Sequence, residues 1–255
     1  MLVGSLLHRD LRHVFTELLD GVRLNINETP VFTEEKARQV VSKVPLAELL
    51  RLQGCEVVLA AGSVVGYSSF PYMTSTYLAA YANTHLGYSR NLILFVGVLA
   101  GLANVALIAL SAALCDRAGR RRMMLIGWAA CLPVSLVVIP LMDTGIPTCY
   151  AVATVSMLAV AGAAFGPIAT FIPGLFPTRY RYSGTALAMN LAAVAGGAVP
   201  PLIAGTLQAT YGSWAMDLMM ATVAATSLVC TYLLPETAGT TLLSTQGVDD
   251  ASVVS

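Results

Sequence analysis

Six apolar runs, at roughly 57–82, 91–114, 123–142, 149–173, 184–209 and 215–234, constrain this 255-residue chain more than any other feature. About twenty apolar residues, each rising 1.5 Å in an α-helix, cross the ~30 Å hydrocarbon layer of a bilayer. A helix at the surface of a soluble domain keeps one polar face, whereas the apolar residues here come in runs of about twenty and not as amphipathic stripes. Residues 92–114 show no alternation of polar and apolar positions, which excludes the strands of a membrane barrel. Charged residues make up 11% of the chain, less than half the ~25% usual in soluble domains. The fold expected is therefore an all-α integral membrane domain of six transmembrane helices.

Basic residues set its orientation, because cytoplasmic loops retain Lys and Arg. Seven precede the first run (Arg9, Arg12, Arg23, Lys36, Arg38, Lys43, Arg51). Four follow the second run (Arg117, Arg120, Arg121, Arg122) and two the fourth (Arg179, Arg181), leaving Arg90 alone on the other side. Both termini are accordingly expected in the cytoplasm and the protein in the plasma membrane. Residues 1–54 read as a cytoplasmic segment, 55–235 as the membrane domain and 236–255 as a disordered cytoplasmic tail. The opening Met1–Leu7 is too short for a secretory signal and runs into His8, Arg9 and Asp10, so the first apolar run is expected to direct insertion.

The formal net charge is zero, which removes the basic footprint of a nucleic-acid binder. Five cysteines (Cys55, Cys115, Cys131, Cys149, Cys230) lack metal-ligand spacing and read as small apolar residues, so no metal or cofactor is expected. No phosphate-cradling glycine loop occurs, and no His, Asp, Glu or Ser–Lys constellation lies at membrane depth; an enzyme or nucleotide-driven pump is not expected.

The two triplets of helices share a weak likeness: Gly62 and Gly66 precede Pro71 in the first run, and Gly162 and Gly166 precede Pro167 in the fourth. Small residues four apart let helices approach closely, which accounts for at least half of the pattern, and Gly97 and Gly101 repeat it in the second run. The alternative is that Gly/Pro interruptions in corresponding helices mark elements that bend around a transport cavity. Three helices per unit invert the second relative to the first.

Ala112 to Arg121 (AALCDRAGRR) resembles the G-x-x-x-D-R-x-G-R-R loop of the major facilitator superfamily, with Ala112 where that family prefers Gly. Leu175 to Gly184 (LFPTRYRYSG) resembles the link between helices ten and eleven in the metabolite:proton symporter branch. Glu28 to Phe32 (ETPVF) and Pro235 to Thr237 (PET) resemble two further motifs of those proteins. The likeness covers residues 22–242 and implies two inverted three-helix repeats forming the C-terminal half of a twelve-helix carrier, helices seven to twelve. It makes residues 1–54 the equivalent of the central linker. It implies a conformational latch at Asp116, Arg117, Gly119, Arg120, Arg121, Arg179 and Glu236. Gly174 stands where the branch usually has Glu, and Glu236 is expected to replace it in part by pairing with Arg120 or Arg179.

The resemblance further implies secondary active transport of a small polar or anionic metabolite, coupled to protons, with a missing N-terminal half or a second copy of the chain as partner. The other reading is a truncated non-transporting fragment or scaffold. Glu56 and Asp217 lie at the ends of apolar runs and His85 at the outer rim, so the proton carrier is expected in the N-terminal half. Thr74 and Tyr77, with Tyr81 at i, i+3, i+7 spacing, are expected to turn hydroxyls to one face of the first helix. Thr74, Tyr77, Asn104 and Asn190 are the expected substrate contacts, interhelical bonding being an equal alternative for the two asparagines; Tyr81 and His85 are expected in the interfacial belt.

Overall fold

The computed structural model describes residues 46–177 and 179–236. Residues 1–45, Thr178 and 237–255 lie outside the described residues, and with them the Glu28–Phe32 motif, Thr237 and the tail; so does the side chain of Asp116. Every described residue belongs to one compact unit.

The described residues are helical: α1 Leu46–Tyr72, a π-helical segment Met73–Leu78, α2 Ala79–Thr84, α3 Arg90–Ala118, α4 Arg120–Met142, α5 Pro147–Phe165, α6 Ile168–Gly174, α7 Arg181–Gly197, α8 Val199–Tyr211 and α9 Trp214–Leu233. They compose six spans long and apolar enough to cross a membrane: Glu48–Thr84, Arg90–Cys115, Arg120–Met142, Pro147–Gly174, Arg181–Tyr211 and Trp214–Leu233. The first helix starts well before the apolar run and kinks at Gln53 (φ −132°, ψ 26°), just ahead of the apolar stretch.

Proline and glycine account for the breaks within spans. Pro71 has no N–H for the carbonyl four residues back, and the wider π turn follows it. Gly166 and Pro167 separate α5 from α6, and the Gly197–Pro201 stretch separates α7 from α8. The spans with Gly/Pro interruptions are thus the first, fourth and fifth. Ser89 starts α3 by accepting the Leu92 N–H on its hydroxyl (3.4 Å).

The packing has an internal symmetry. The first span packs on the fifth and sixth, the fourth on the second and third, the third on the sixth, and the first touches the fourth. Exchanging first with fourth, second with fifth and third with sixth returns the same set of pairs. Each triplet is thus the same packing unit, and because three is odd and short turns join the spans, the second unit runs antiparallel to the first.

Small residues bring the pairs together. A Cβ on Gly62 would meet Cys230 Sγ at 2.4 Å, and one on Gly66 would meet the Trp128 ring at 2.5 Å. Ser227 Oγ accepts the Gly66 N–H (2.9 Å) and donates to the Gly62 carbonyl (3.0 Å), joining the first span to the sixth. Gly127 meets the Ala164 backbone, joining the third to the fourth. Gly162 and Gly166 instead face Asn104, Ile108 and Ser111 of the second span. The two glycine pairs that look alike in sequence therefore serve different interfaces, and close packing is what they share. Trp128, wholly buried and tilted against Phe70, fills the centre.

Candidate functional site

The outer surface separates into two kinds. The second span exposes Leu94, Phe95, Val98, Leu102, Val105 and Leu110, a face suited to lipid. The first span exposes Tyr72, Ser75, Thr76, Asn83 and Thr84 along one side. Hydrocarbon offers the outward polar atoms of such groups no partner, so this stripe is suited to water or protein and not to lipid. Thr76 and Ser75 donate to the Tyr72 carbonyl and Thr84 to the Ala80 carbonyl (2.8 Å), which leaves hydroxyl lone pairs open outward. The Tyr72 ring lies against Gly197, where a Cβ would meet it at 3.0 Å, so the stripe borders the fifth span at its break. Asn190, exposed on α7, donates to its own helix at Ala186 (2.7 Å).

The remaining residues expected at a substrate site lie elsewhere. Thr74 is buried and donates to the Phe70 carbonyl (2.7 Å). Tyr77 is half-buried, and its enclosed hydroxyl has no hydrogen-bond partner among the described residues. Asn104 donates to the Leu158 carbonyl (2.7 Å) against Gly162, a bond between the second and fourth spans. The structure therefore does not gather Thr74, Tyr77, Asn104 and Asn190 into one surface. Spacing at i, i+3, i+7 assumes an α-helix, and the π turn at Met73–Leu78 changes which residues share a face.

Both ends of the bundle are tied. At one end Tyr81, stacked on His85 at 4.7 Å, donates to Asp143 and lies 3.4 Å from Ser213 Oγ, joining three turns. At the arginine-rich end Gly119 turns with φ +93°, a conformation costly for residues bearing a Cβ. Glu236 accepts the Arg121 N–H (3.3 Å), placing a carboxylate at the positive N-terminus of α4. The Arg121 guanidinium donates to the carbonyls of Thr231 and Tyr232 and stacks over the Tyr232 ring at 5.3 Å. Arg120 donates to the Thr170 carbonyl (3.4 Å), so two arginines of one turn meet the ends of two other spans. Arg179 pairs with Glu48 at 3.6 Å, and Tyr180 donates to the same carboxylate (3.1 Å). Gly119, Arg120, Arg121 and Glu236 thus come together, while Arg179 joins a separate tie to the first span; Arg117 enters neither of these.

One residue escaped the sequence reading: Asp217, placed there at the end of a run, is 6% exposed and accepts the Ile139 N–H at 3.1 Å. Its signal is the Met-Asp-Leu-Met-Met sequence, an acid held among apolar neighbours.

Comparison with known proteins gives this arrangement its family. Residues 14–247 match the family described as sugar (and other) transporter. The chain is 32% identical over 221 residues to the inner membrane metabolite transport protein YhjE of Escherichia coli K12, covering 85% of this chain and 50% of that protein. It is 23% identical to the proline/betaine transporter of the same strain over 228 residues, 85% of this chain and 45% of the relative. It is 27% identical to its shikimate transporter over 205 residues, 76% and 45%. The chain spans about half the length of the curated relatives it matches. A multi-pass all-helical membrane protein, the chain belongs to the sugar (and other) transporter family of the major facilitator superfamily.

Proposed function

We propose that the chain is the C-terminal half, helices seven to twelve, of a carrier that moves a small polar or anionic metabolite by alternating access, driven by protons. The observation that carries this reading is the exposed polar stripe of the first span, beside a π segment and against the break in the fifth. Such a stripe needs a facing lobe, supplied by an N-terminal six-helix half or by a second copy, with substrate held between them near the midplane. Relatives named for proline, betaine and shikimate suit a pathway lined by hydroxyls and amides. The arginine-rich end is the cytoplasmic one in this reading, with both termini inside the plasma membrane. Tyr72, Ser75, Thr76 and Asn190 take the substrate-facing roles, and the ties at Gly119, Arg120, Arg121 and Glu236 hold the cytoplasmic end in one conformation.

The test is uptake of labelled proline, glycine betaine and shikimate by cells that make the chain together with a six-helix N-terminal lobe. Uptake of one of them that Thr76→Val and Tyr72→Ala reduce without lowering the amount of chain in the membrane supports the reading. Normal membrane insertion with no uptake of any polar metabolite favours the scaffold alternative.

A further inference from the structure

Asp217 stands in the first turn of the sixth span with its carboxylate turned into the bundle. Beside it is a cavity walled by Met73, Leu78, Ser135, Met157, Met216 and Met220, among others, which leaves about 10 Å³ for the centre of a water molecule, room for one. Ser135, the polar member of that wall, donates its hydroxyl to the Cys131 carbonyl. Among the described residues no Lys, Arg or His forms an ion pair with Asp217. The titratable groups towards this end of the elements around it include Tyr77, Tyr81 and His85 of the first span, Asp143 at the end of the third, Tyr150 of the fourth and Tyr211 of the fifth. Asp143 is engaged by Tyr81. A carboxylate taken from water into apolar surroundings is far costlier than the neutral acid, and one backbone N–H together with the N-terminus of its own helix offsets only part of that.

Three features connect this group to movement. Pro140 lacks an N–H for the Leu136 carbonyl, so the third span is weakened beside the Ile139 N–H that Asp217 holds. Four methionines wall the cavity, and their unbranched thioethers repack at low cost. The π segment has two sides: Met73 and Leu78 wall the cavity, while Ser75 and Thr76 belong to the exposed polar stripe. A ligand that pulls on the stripe therefore pulls on a wall of the Asp217 cavity.

Resting on the reading of the chain as a proton-driven carrier, we infer that Asp217 is a proton-binding site linked to the packing of the first, third and sixth spans. When these close as seen here, one carboxylate oxygen takes a proton from hydronium, whose O–H bond breaks to leave water as the new O–H bond forms, and the side chain becomes neutral. When the π segment and the sixth span part, water enters, the O–H bond breaks, and the proton leaves to water with the carboxylate recharged.

Infrared spectroscopy of the purified chain in lipid tests this independently of transport. At pH 5, still above the ~3.9 of an exposed aspartate, the carbonyl stretch of a protonated carboxylic acid is expected in the parent chain, with the part that Asp217 contributes lost in Asp217→Asn and kept in Asp143→Asn. Should the Asn variant not fold, Asp217→Glu displaces the band. A band absent from the parent, undiminished in Asp217→Asn, lost in Asp143→Asn or undisplaced in Asp217→Glu overturns the proposal. With a facing lobe present, Asp217→Asn is expected to abolish proton-driven accumulation while leaving substrate exchange; accumulation unchanged in the variant overturns the link to transport. If no form transports and the band behaves as expected, the carrier reading fails and the proton site stands.

Discussion

The carboxylate of Glu236 accepts the backbone N–H of Arg121, and the Arg121 side chain returns to the carbonyls of Thr231 and Tyr232 on the helix that Glu236 follows. The turn between the second and third spans is thereby clamped to the end of the sixth by a carboxylate at one helix N-terminus and a guanidinium at another's C-terminus. Both are favoured ends for those charges, and at an exposed edge each contributes roughly 0.3–1 kcal/mol. Glu236→Gln is therefore expected to leave membrane insertion intact and to change the transport rate several-fold. Gly119→Ala is expected to act more strongly, because φ there is +93° and the new Cβ would lie 3.2 Å from Glu236 Oε2. Its strain of about 1–3 kcal/mol is measured as a lowered midpoint of thermal unfolding in detergent.

Helix packing gives a sharper contrast. Gly66→Ala drives a Cβ to 2.5 Å from the Trp128 ring and 3.0 Å from Ser227 Oγ, whereas Gly101→Ala meets nothing within 4 Å. The first is expected to destabilise the bundle by about 1–3 kcal/mol, the second to stay within about 0.5 kcal/mol. Denaturant titration of both purified variants checks this, and equal losses would show that Gly66 is not at a close contact.

How much of this was readable beforehand depends on whether neighbours decide the outcome. The six spans depend on length and apolarity alone, and every run recurs as a helix long enough to cross a membrane. Asn104 and Asn190 are the same residue in similar apolar sequence, yet one bridges to Leu158 and the other lies exposed, a difference set by which helix packs opposite. The departure from α-helical periodicity at Met73–Leu78 follows a proline that sequence reading noted, but the π turn itself was not legible, so Thr74 points inward while Ser75 and Thr76 are exposed. Asp217 counts by position as a helix-end residue; the approach of the first, third and fourth spans makes it buried.

The two asparagines are thus expected to separate under the same substitution. Asn104→Leu removes an interhelical hydrogen bond and is expected to lower stability by about 0.6–2 kcal/mol. Asn190→Leu breaks only a bond within its own helix and is expected to leave unfolding unchanged while reducing uptake. Thermal unfolding and uptake measured on each variant distinguish these outcomes.

The central claim, that these six helices form one lobe of a two-lobed carrier, is tested most directly by accumulation of a labelled metabolite in cells making this chain with a six-helix N-terminal lobe. The account predicts accumulation that collapses when the proton gradient is dissipated and that falls when Tyr72 or Thr76 is replaced. Both lobes present together in the membrane, with no accumulation of proline, glycine betaine or shikimate and no exchange of them, would contradict it.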